Sequence, residues 1–215
     1  LFALLACYLF GFIKFPHDDE TERKTTVSSF LLGIASLAFS IYMIPGLWGA
    51  PTKAVSAFAP PMSTQDFNLD AVKVEAKFTD YEKGMAYARQ VGKPVLLDFT
   101  GFGCVNCRKM ETAVWRDARV RDRINKDYVL ISLYVDDKTA LPSPIEVQEN
   151  GKTTTLRTVG DRWSYLQRNK FGANAQPFYI PLDGEGQPLG PSRSYNENIS
   201  EYVEFLDNGL KAYNK

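Results

Sequence analysis

The sequence PVLLDFTGFGCVNCRKME, residues 94–111, joins an apolar run to two closely spaced cysteines. The run PVLLDF is hydrophobic apart from one acid, as is typical of a buried central strand. Two glycines then lead to Cys104 and Cys107, and we expect a helix to begin at Cys104. The free N–H groups and the dipole of a helix start favour the thiolate of Cys104. Cys107, one turn further along, can form a disulfide with Cys104 and is expected to be more buried.

The chain around this stretch alternates between helical and strand patterns. Alternation of this kind favours an α/β domain, in which helices cover a central sheet. We place the domain at residues 67–215, with an inserted loop or small hairpin at about 137–160. The first predicted elements are a helix over 80–91, which opens with the capping pair Thr79 and Glu82, the strand PVLLDF and the helix at the cysteines. A helical segment around Val120 and Ile124, a strand at 128–135 and the insert follow. The domain then has a helix at 162–171, a strand at 178–182 and a last helix that opens with Asn198 and Glu201.

The first fifty residues are far more apolar than the rest. No charged residue occurs from Thr25 to Thr52, and the apolar stretch at 27–48 exceeds the roughly 20 residues that a helix needs to cross a bilayer. The apolar segment at 1–13 is short for a span. We interpret residues 1–49 as two transmembrane helices. Because the chain begins with leucine rather than methionine, we expect these helices to be the end of a truncated membrane domain. Residues 50–66 have the proline-containing composition of a linker.

The charges that flank the longer apolar segment predict its orientation. Lys14, Arg23 and Lys24 precede the segment, whereas only Lys53 follows closely. Lysine and arginine favour the cytoplasmic side. We therefore expect everything after Trp48 to lie on the outer side of the membrane, where disulfide chemistry is normal.

Composition and cysteine count exclude several functions. The chain has 25 basic and 25 acidic residues, so its net charge does not favour a nucleic-acid partner. A structural zinc site or an iron–sulfur cluster usually needs about four ligands, but the predicted domain contains only its two cysteines and no histidine. A cysteine protease would need a histidine as base. A structural disulfide remains an alternative, although a bridge across two residues closes a small loop and stabilises little.

Asp98, Phe99 and the C-V-N-C motif at a helix start resemble the thioredoxin family. In that family an acid at this position, six residues before the first cysteine, lies beneath the cysteine pair. The resemblance implies the thioredoxin fold, a central mixed sheet flanked by helices. It also implies that Gln176 and Pro177, just before the strand FYIPL, form the family's cis-proline motif. That motif faces the cysteines and helps to receive the partner's backbone.

The motif CVNCRKME, together with the apolar segments and the linker, is similar to the C-terminal end of DsbD-type thiol:disulfide interchange proteins, including the acid at Glu111. Those proteins carry electrons from cytoplasmic thioredoxin through a membrane domain to a periplasmic thioredoxin-like domain. The resemblance covers residues 70–215 for the domain. The chain differs from thioredoxins in its longer insert and in Gly103, which stands where thioredoxins have a tryptophan.

We expect a two-step exchange at this site. Reduced Cys104 attacks a disulfide of a partner, and Cys107 then attacks Cys104 to release the reduced partner. Asp98 would help Cys107 to lose its proton, since burial in a strand should raise the pKa of the carboxyl towards neutrality. Glu111 has two open interpretations, a site acid or a solvated charge on an exposed helix face. The predicted catalytic residues are Cys104, Cys107, Asp98 and Glu111, and the predicted partner-binding residues are Phe102, Gln176 and Pro177.

The expected function is therefore that of a membrane-anchored protein-disulfide reductase, which passes electrons from a transmembrane domain to disulfides of extracytoplasmic proteins. Its expected partners are the upstream electron-relay domain, those proteins and the membrane, with no metal and no cofactor beyond the Cys104–Cys107 disulfide. The expected location is the bacterial inner membrane, with the domain on the periplasmic side. The direction of electron flow does not follow from C-V-N-C. Three alternatives share the motifs: a tethered thioredoxin-like reductase for cytochrome c biogenesis, a thiol oxidase or isomerase, and a non-enzymatic binding module with this fold.

Overall fold

The computed structural model describes residues 1–15, 25–48, 74–149 and 151–214. These residues form two compact units, an N-terminal helical unit and a C-terminal α/β unit. The predicted linker at 50–66 and most of the predicted cytoplasmic loop lie outside the described residues.

The N-terminal unit contains the helices α1, Phe2–Leu9, and α2, Val27–Met43, followed by a 3-10 helix at Ile44–Trp48. From Val27 to Gly46 the helical stretch has 20 residues and a mean hydropathy of 2.0, which suffices by length and composition to cross a membrane. Helix α1 has 8 residues. It therefore rises about 12 Å, whereas the hydrocarbon core of a bilayer is about 30 Å thick. Of the two predicted transmembrane helices, the described residues thus contain one of spanning length.

The C-terminal unit alternates between helices and strands, as predicted. Its described helices are α3 Tyr81–Val91, α4 Val105–Ala113, α5 Ala118–Asp127, α6 Val159–Phe171 and α7 Ile199–Tyr213. Its described strands are β1 Val95–Thr100, β2 Val129–Tyr134, β3 Ala140–Glu149, β4 Lys152–Thr158, β5 Phe178–Leu182 and β6 Arg193–Ser194.

The strand β1 lies inside a mixed sheet with the order β2-β1-β5-β6. It runs parallel to β2 and antiparallel to β5. All six residues of β1 are buried, which is why its sequence is an almost continuous apolar run. The predicted α/β architecture, with this run as a buried inner strand, is confirmed.

Alternate side chains of β1 point to opposite faces of the sheet. Leu97 and Phe99 belong to the core cluster that includes buried residues of α3 and α6. Leu96 belongs to the other cluster, which includes Met110 of α4 and buried residues of α5 and α7. Asp98 shares the face of Leu96 because side chains two residues apart lie on one face. The alternation therefore directs the Asp98 carboxyl towards α4, the helix that begins at the cysteines.

The start of α3 differs by one residue from the predicted start. Asp80, rather than Thr79, is the N-cap, and its carboxylate accepts a hydrogen bond from the backbone N–H of Lys83 at 2.9 Å. Both residue types are good N-caps, so the sequence alone does not distinguish the adjacent positions. The predicted end is observed, because Gly92 adopts the left-handed conformation with φ 63°.

The insert at about 137–160 is an antiparallel hairpin of β3 and β4, which is one of its two predicted forms. Helix α6 begins directly after it at Val159, three residues earlier than predicted, because a capping box satisfies its first N–H groups. Gly160 is needed at this junction, since a Cβ there would lie 2.5 Å from the carbonyl oxygen of Val135. This close approach fastens the base of the hairpin to the end of β2.

Candidate active site

The two cysteines of the motif form a disulfide across the first turn of α4. Their Cα atoms are 5.3 Å apart. Cys104 is the N-cap of α4, and its Sγ accepts a hydrogen bond from the backbone N–H of Cys107 at 3.2 Å. Cys107 is only 2% exposed, whereas Cys104 is half-buried. The predicted arrangement, a capping cysteine with a more deeply buried neighbour, is present, and it makes Cys104 the more accessible of the two.

Asp98 is a buried acid on the face of the sheet that α4 covers. Its side chain is 2% exposed, and the hydroxyl of Ser132 donates to Oδ2 at 2.8 Å. Among the described residues, Oδ1 has no hydrogen-bond partner. Burial raises the pKa of Asp98 to about 7, against the lowering effects of the Ser132 hydrogen bond and the Arg108 charge; the Glu111 charge raises it further. The predicted burial and raised pKa are both present, and the role of Asp98 in proton transfer stays a prediction.

Glu111 belongs to an ion pair that is largely shielded from solvent. The Arg108 guanidinium donates through Nη1 to Glu111 Oε2 at 2.6 Å, and the two side chains are 3% and 14% exposed. Nη2 of Arg108 also donates to the Thr100 hydroxyl at 3.2 Å and to the Gly101 carbonyl at 3.4 Å. The interpretation of Glu111 as a freely solvated charge is therefore wrong.

Arg108 is a site residue that the sequence analysis missed. It lies four residues after Cys104 and three before Glu111, so all three positions share one face of α4. That spacing was a usable signal. The buried guanidinium of Arg108 partly offsets the negative charges of Asp98 and Glu111.

Phe102 lies beside the cysteines on the surface. Its side chain is 50% exposed, and its ring stacks on Tyr134 with a centroid distance of 4.2 Å and an interplanar angle of 17°. Val105, the residue after Cys104, is 41% exposed. Phe102 and Val105 thus place two exposed apolar side chains close to Cys104 in the sequence, and the binding role of Phe102 stays a prediction.

The peptide bond between Gln176 and Pro177 is cis, as the resemblance to thioredoxins implies. Phe178, the next residue, pairs with Phe99 near the end of β1. The cis-proline therefore lies at the same end of the sheet as the loop that leads to the cysteines. Gln176 is tied to the body of the domain, because its side-chain amide donates to Gln167 Oε1 at 3.0 Å. The partner-binding role of both residues stays a prediction.

The two sulfurs of this site are themselves a redox-active pair. In the part of the chain that the structure describes, no group of three or more His, Cys, Asp or Glu side chains is placed to hold a metal ion. The third cysteine, Cys7, is free and belongs to α1 of the other unit. Closing a disulfide releases two electrons, so the pair can perform thiol–disulfide exchange by itself.

Known proteins resemble this domain in sequence. Residues 76–157 match the thioredoxin-like protein family. The matched region contains β1, the cysteine motif, β2 and most of the hairpin. The chain is also 32% identical over 95 residues to the thiol:disulfide interchange protein DsbD of Ralstonia nicotianae, and this alignment covers 38% of the chain. The chain spans 16% of the length of that relative.

Three solved structures are similar to part of this chain. The DsbH oxidoreductase is 17% identical, with 65% of this chain and 88% of that chain covered and a TM-score of 0.45. A thioredoxin from Thermus thermophilus is 17% identical, with 62% of this chain and 86% of that chain covered and a TM-score of 0.43. The C-terminal domain of DsbD from Neisseria meningitidis, in its reduced form, is 14% identical, with 61% of this chain and 98% of that chain covered and a TM-score of 0.45. The sheet order and the family match together assign the thioredoxin fold to the domain.

Proposed function

We propose that this chain is a thiol:disulfide oxidoreductase of the DsbD type that reduces disulfides of extracytoplasmic proteins. The observation that carries the proposal is the Cys104–Cys107 disulfide at the start of α4, with one half-buried and one fully buried cysteine on the sheet face that also holds buried Asp98. A purely structural cross-link would not need unequal exposure or a neighbouring acid with a pKa near neutrality. Similarity to a thiol:disulfide interchange protein supports the same chemistry.

In the proposed reaction the reduced chain gives two electrons to its partner. The thiolate of Cys104 attacks one sulfur of the partner's disulfide, so the S–S bond breaks and a mixed disulfide forms. The partner sulfur that leaves takes up a proton. The thiolate of Cys107 then attacks Sγ of Cys104, closes the Cys104–Cys107 disulfide and releases the second partner sulfur as a thiol. The partner has gained two electrons and two protons, and the chain has lost them.

Asp98 serves as the proton acceptor for Cys107 in this scheme. A carboxyl with a pKa of about 7 is partly ionised at neutral pH, so it can accept a proton and later return it. Oδ1 has no hydrogen-bond partner among the described residues and is the oxygen available for this transfer.

Renewed turnover requires a dithiol donor that reduces the Cys104–Cys107 disulfide. We assign this role to a transmembrane electron-relay domain, as the resemblance to DsbD-type proteins implies; the apolar helix of spanning length in this chain supports the assignment. In this scheme the thioredoxin-like domain of the chain lies on the periplasmic side of the bacterial inner membrane. The orientation predicted from Lys14, Arg23 and Lys24 supports that side.

The reduction potential of the cysteine pair tests the direction of electron flow. The full chain carrying Cys7→Ser, purified in detergent, is equilibrated with dithiothreitol buffers, and its reduced fraction is measured by thiol labelling. We expect a potential nearer to the roughly −270 mV of thioredoxin than to the roughly −120 mV of DsbA. The chain with Cys7 intact should give the same value, since Cys7 is in the other unit. A potential close to that of DsbA would make the protein an oxidant and overturn the proposal.

A further inference from the structure

The loop Gly101–Gly103, here named the GFG loop, joins β1 to Cys104 and is held by one carboxylate from the segment that follows β2. The backbone N–H of Phe102 donates to Asp136 Oδ1 at 2.8 Å, and the N–H of Gly103 donates to Asp136 Oδ2 at 2.9 Å. Both carboxylate oxygens of the half-buried Asp136 thus accept hydrogen bonds from two successive N–H groups. Hydrogen bonds to an ionised acceptor are about twice as strong as those between neutral groups.

A glycine and two further contacts hold the GFG loop in the same place. A Cβ on Gly101 would lie only 3.0 Å from Asp136 Oδ2, so glycine at 101 lets the carboxylate approach the backbone. The N–H of Cys104 donates to the Gly101 carbonyl at 3.2 Å, which closes the turn into α4. The ring of Phe102 also stacks on Tyr134, the last residue of β2. The position of the capping cysteine therefore depends on Tyr134 at the end of β2 and on Asp136 just after it.

We propose that Asp136 is a positioning residue of the exchange reaction: its carboxylate fixes the GFG loop and so sets the place and the charge environment of the Cys104 sulfur. This inference rests on the proposed function. The helix start favours a thiolate at Cys104, whereas a negative carboxylate bound to the two preceding residues opposes it. Asp136 thereby limits ionisation of the attacking thiol and keeps its nucleophilicity high, because the nucleophilicity of a thiolate falls as the pKa of its thiol falls.

Asp137 provides a matched control at the next position. Its Oδ1 accepts a hydrogen bond from the N–H of Thr139 at 2.8 Å, a contact within the base of the hairpin. It has the same charge as Asp136, but its carboxylate binds an N–H at the base of the hairpin rather than an N–H of the GFG loop. Asp98 and the two charged side chains that act on its pKa, Arg108 and Glu111, are the same in both variants.

The test compares Asp136→Asn with Asp137→Asn in the reduced full chain carrying Cys7→Ser. The rate of Cys104 alkylation by iodoacetamide is measured against pH, with peptide mass spectrometry to identify the labelled cysteine. We expect Asp136→Asn to lower the midpoint of this profile by about 0.5 to 1 pH unit, as removal of a nearby like charge does. The rate on the high-pH plateau should fall about twofold to threefold, which follows from the lower nucleophilicity of a more acidic thiol. Asp137→Asn should change neither value.

Two further variants keep the proposal testable if Asp136→Asn does not fold. Asp136→Glu retains the charge, so its midpoint should stay near that of the parent chain, whereas Asp136→Ser, which lacks the charge, should reproduce the shift. Equal midpoints in the parent, Asp136→Asn and Asp136→Ser chains would overturn the positioning role. If Cys104 of the parent chain fails to react at all, the proposed function fails instead, so the two failures are distinguishable.

Discussion

Replacement of Cys104 by serine is expected to abolish catalysed disulfide reduction. The serine hydroxyl is not ionised near neutral pH, so no nucleophile remains at the accessible position of the pair. With dithiothreitol as electron donor and a disulfide-linked peptide as substrate, turnover of Cys104→Ser should fall to the uncatalysed rate of the donor. The loss should be on the scale of about 10⁴-fold or more that follows removal of a catalytic nucleophile.

The third cysteine gives the matched control for this prediction. Cys7→Ser changes the same chemical group, but Cys7 lies in α1 of the other unit, so turnover should be unchanged. Retention of activity by Cys104→Ser would contradict the exchange mechanism. It would favour the alternative in which the thioredoxin fold serves as a binding module.

Asp98→Asn is expected to change both the stability of the chain and its exchange activity, and these are the second-largest changes that we expect. The change in stability depends on pH. Folding raises the pKa of Asp98 from 3.8 to about 7, mainly through burial. Between these values the folded chain binds more protons than the unfolded chain. Asp98 therefore contributes stability that is fully present below about pH 4 and is lost as the pH rises through about 7. A shift of about three pH units corresponds to about 4 kcal/mol.

Asparagine has the shape of the carboxyl and stays neutral, so the variant should not lose this stability. We expect oxidised Asp98→Asn to be more stable than the parent chain at pH 8, by up to about 4 kcal/mol. At pH 4 the two chains should differ little. Urea unfolding followed by tryptophan fluorescence measures both differences. An equal stability difference at the two pH values would mean that Asp98 does not titrate with a raised pKa.

The same variant should be a poor enzyme. Without a proton acceptor, Cys107 loses its proton more slowly, and the resolving step should slow about a hundredfold, at the lower end of the range for general acid–base catalysis. The mixed disulfide should then accumulate during turnover. Ser132→Ala is the companion variant, because loss of its hydrogen bond to Asp98 Oδ2 removes an effect that lowers the pKa. Its activity profile should shift to higher pH rather than disappear.

The sequence predicted the parts of the site that depend on local pattern. The apolar run of β1, the C-x-x-C spacing and the capping position of Cys104 all lie within eighteen consecutive residues, 94–111. The burial of Asp98 follows from its place in that run. These features need no knowledge of distant contacts, and the structure contains each of them.

The features that were missed depend on contacts between distant segments. Asp136 holds the GFG loop from 34 residues away in sequence, and this contact arises only because β2 lies parallel to β1. The burial of the Arg108–Glu111 pair likewise depends on how α4 packs on the sheet. Strand β6 has two residues, Arg193–Ser194, which is too short for an alternating pattern to be recognised.

The most direct test of the exchange mechanism is the identity of the sulfur that first bonds to a partner. The reduced full chain carrying Cys107→Ser is mixed with a disulfide-linked peptide, and the adduct is located by peptide mass spectrometry. We predict a stable mixed disulfide on Cys104, because the half-buried sulfur attacks and the buried one that would release the partner is absent. The absence of an adduct on Cys104, or an equally fast adduct on Cys107 in the Cys104→Ser chain, would contradict the mechanism.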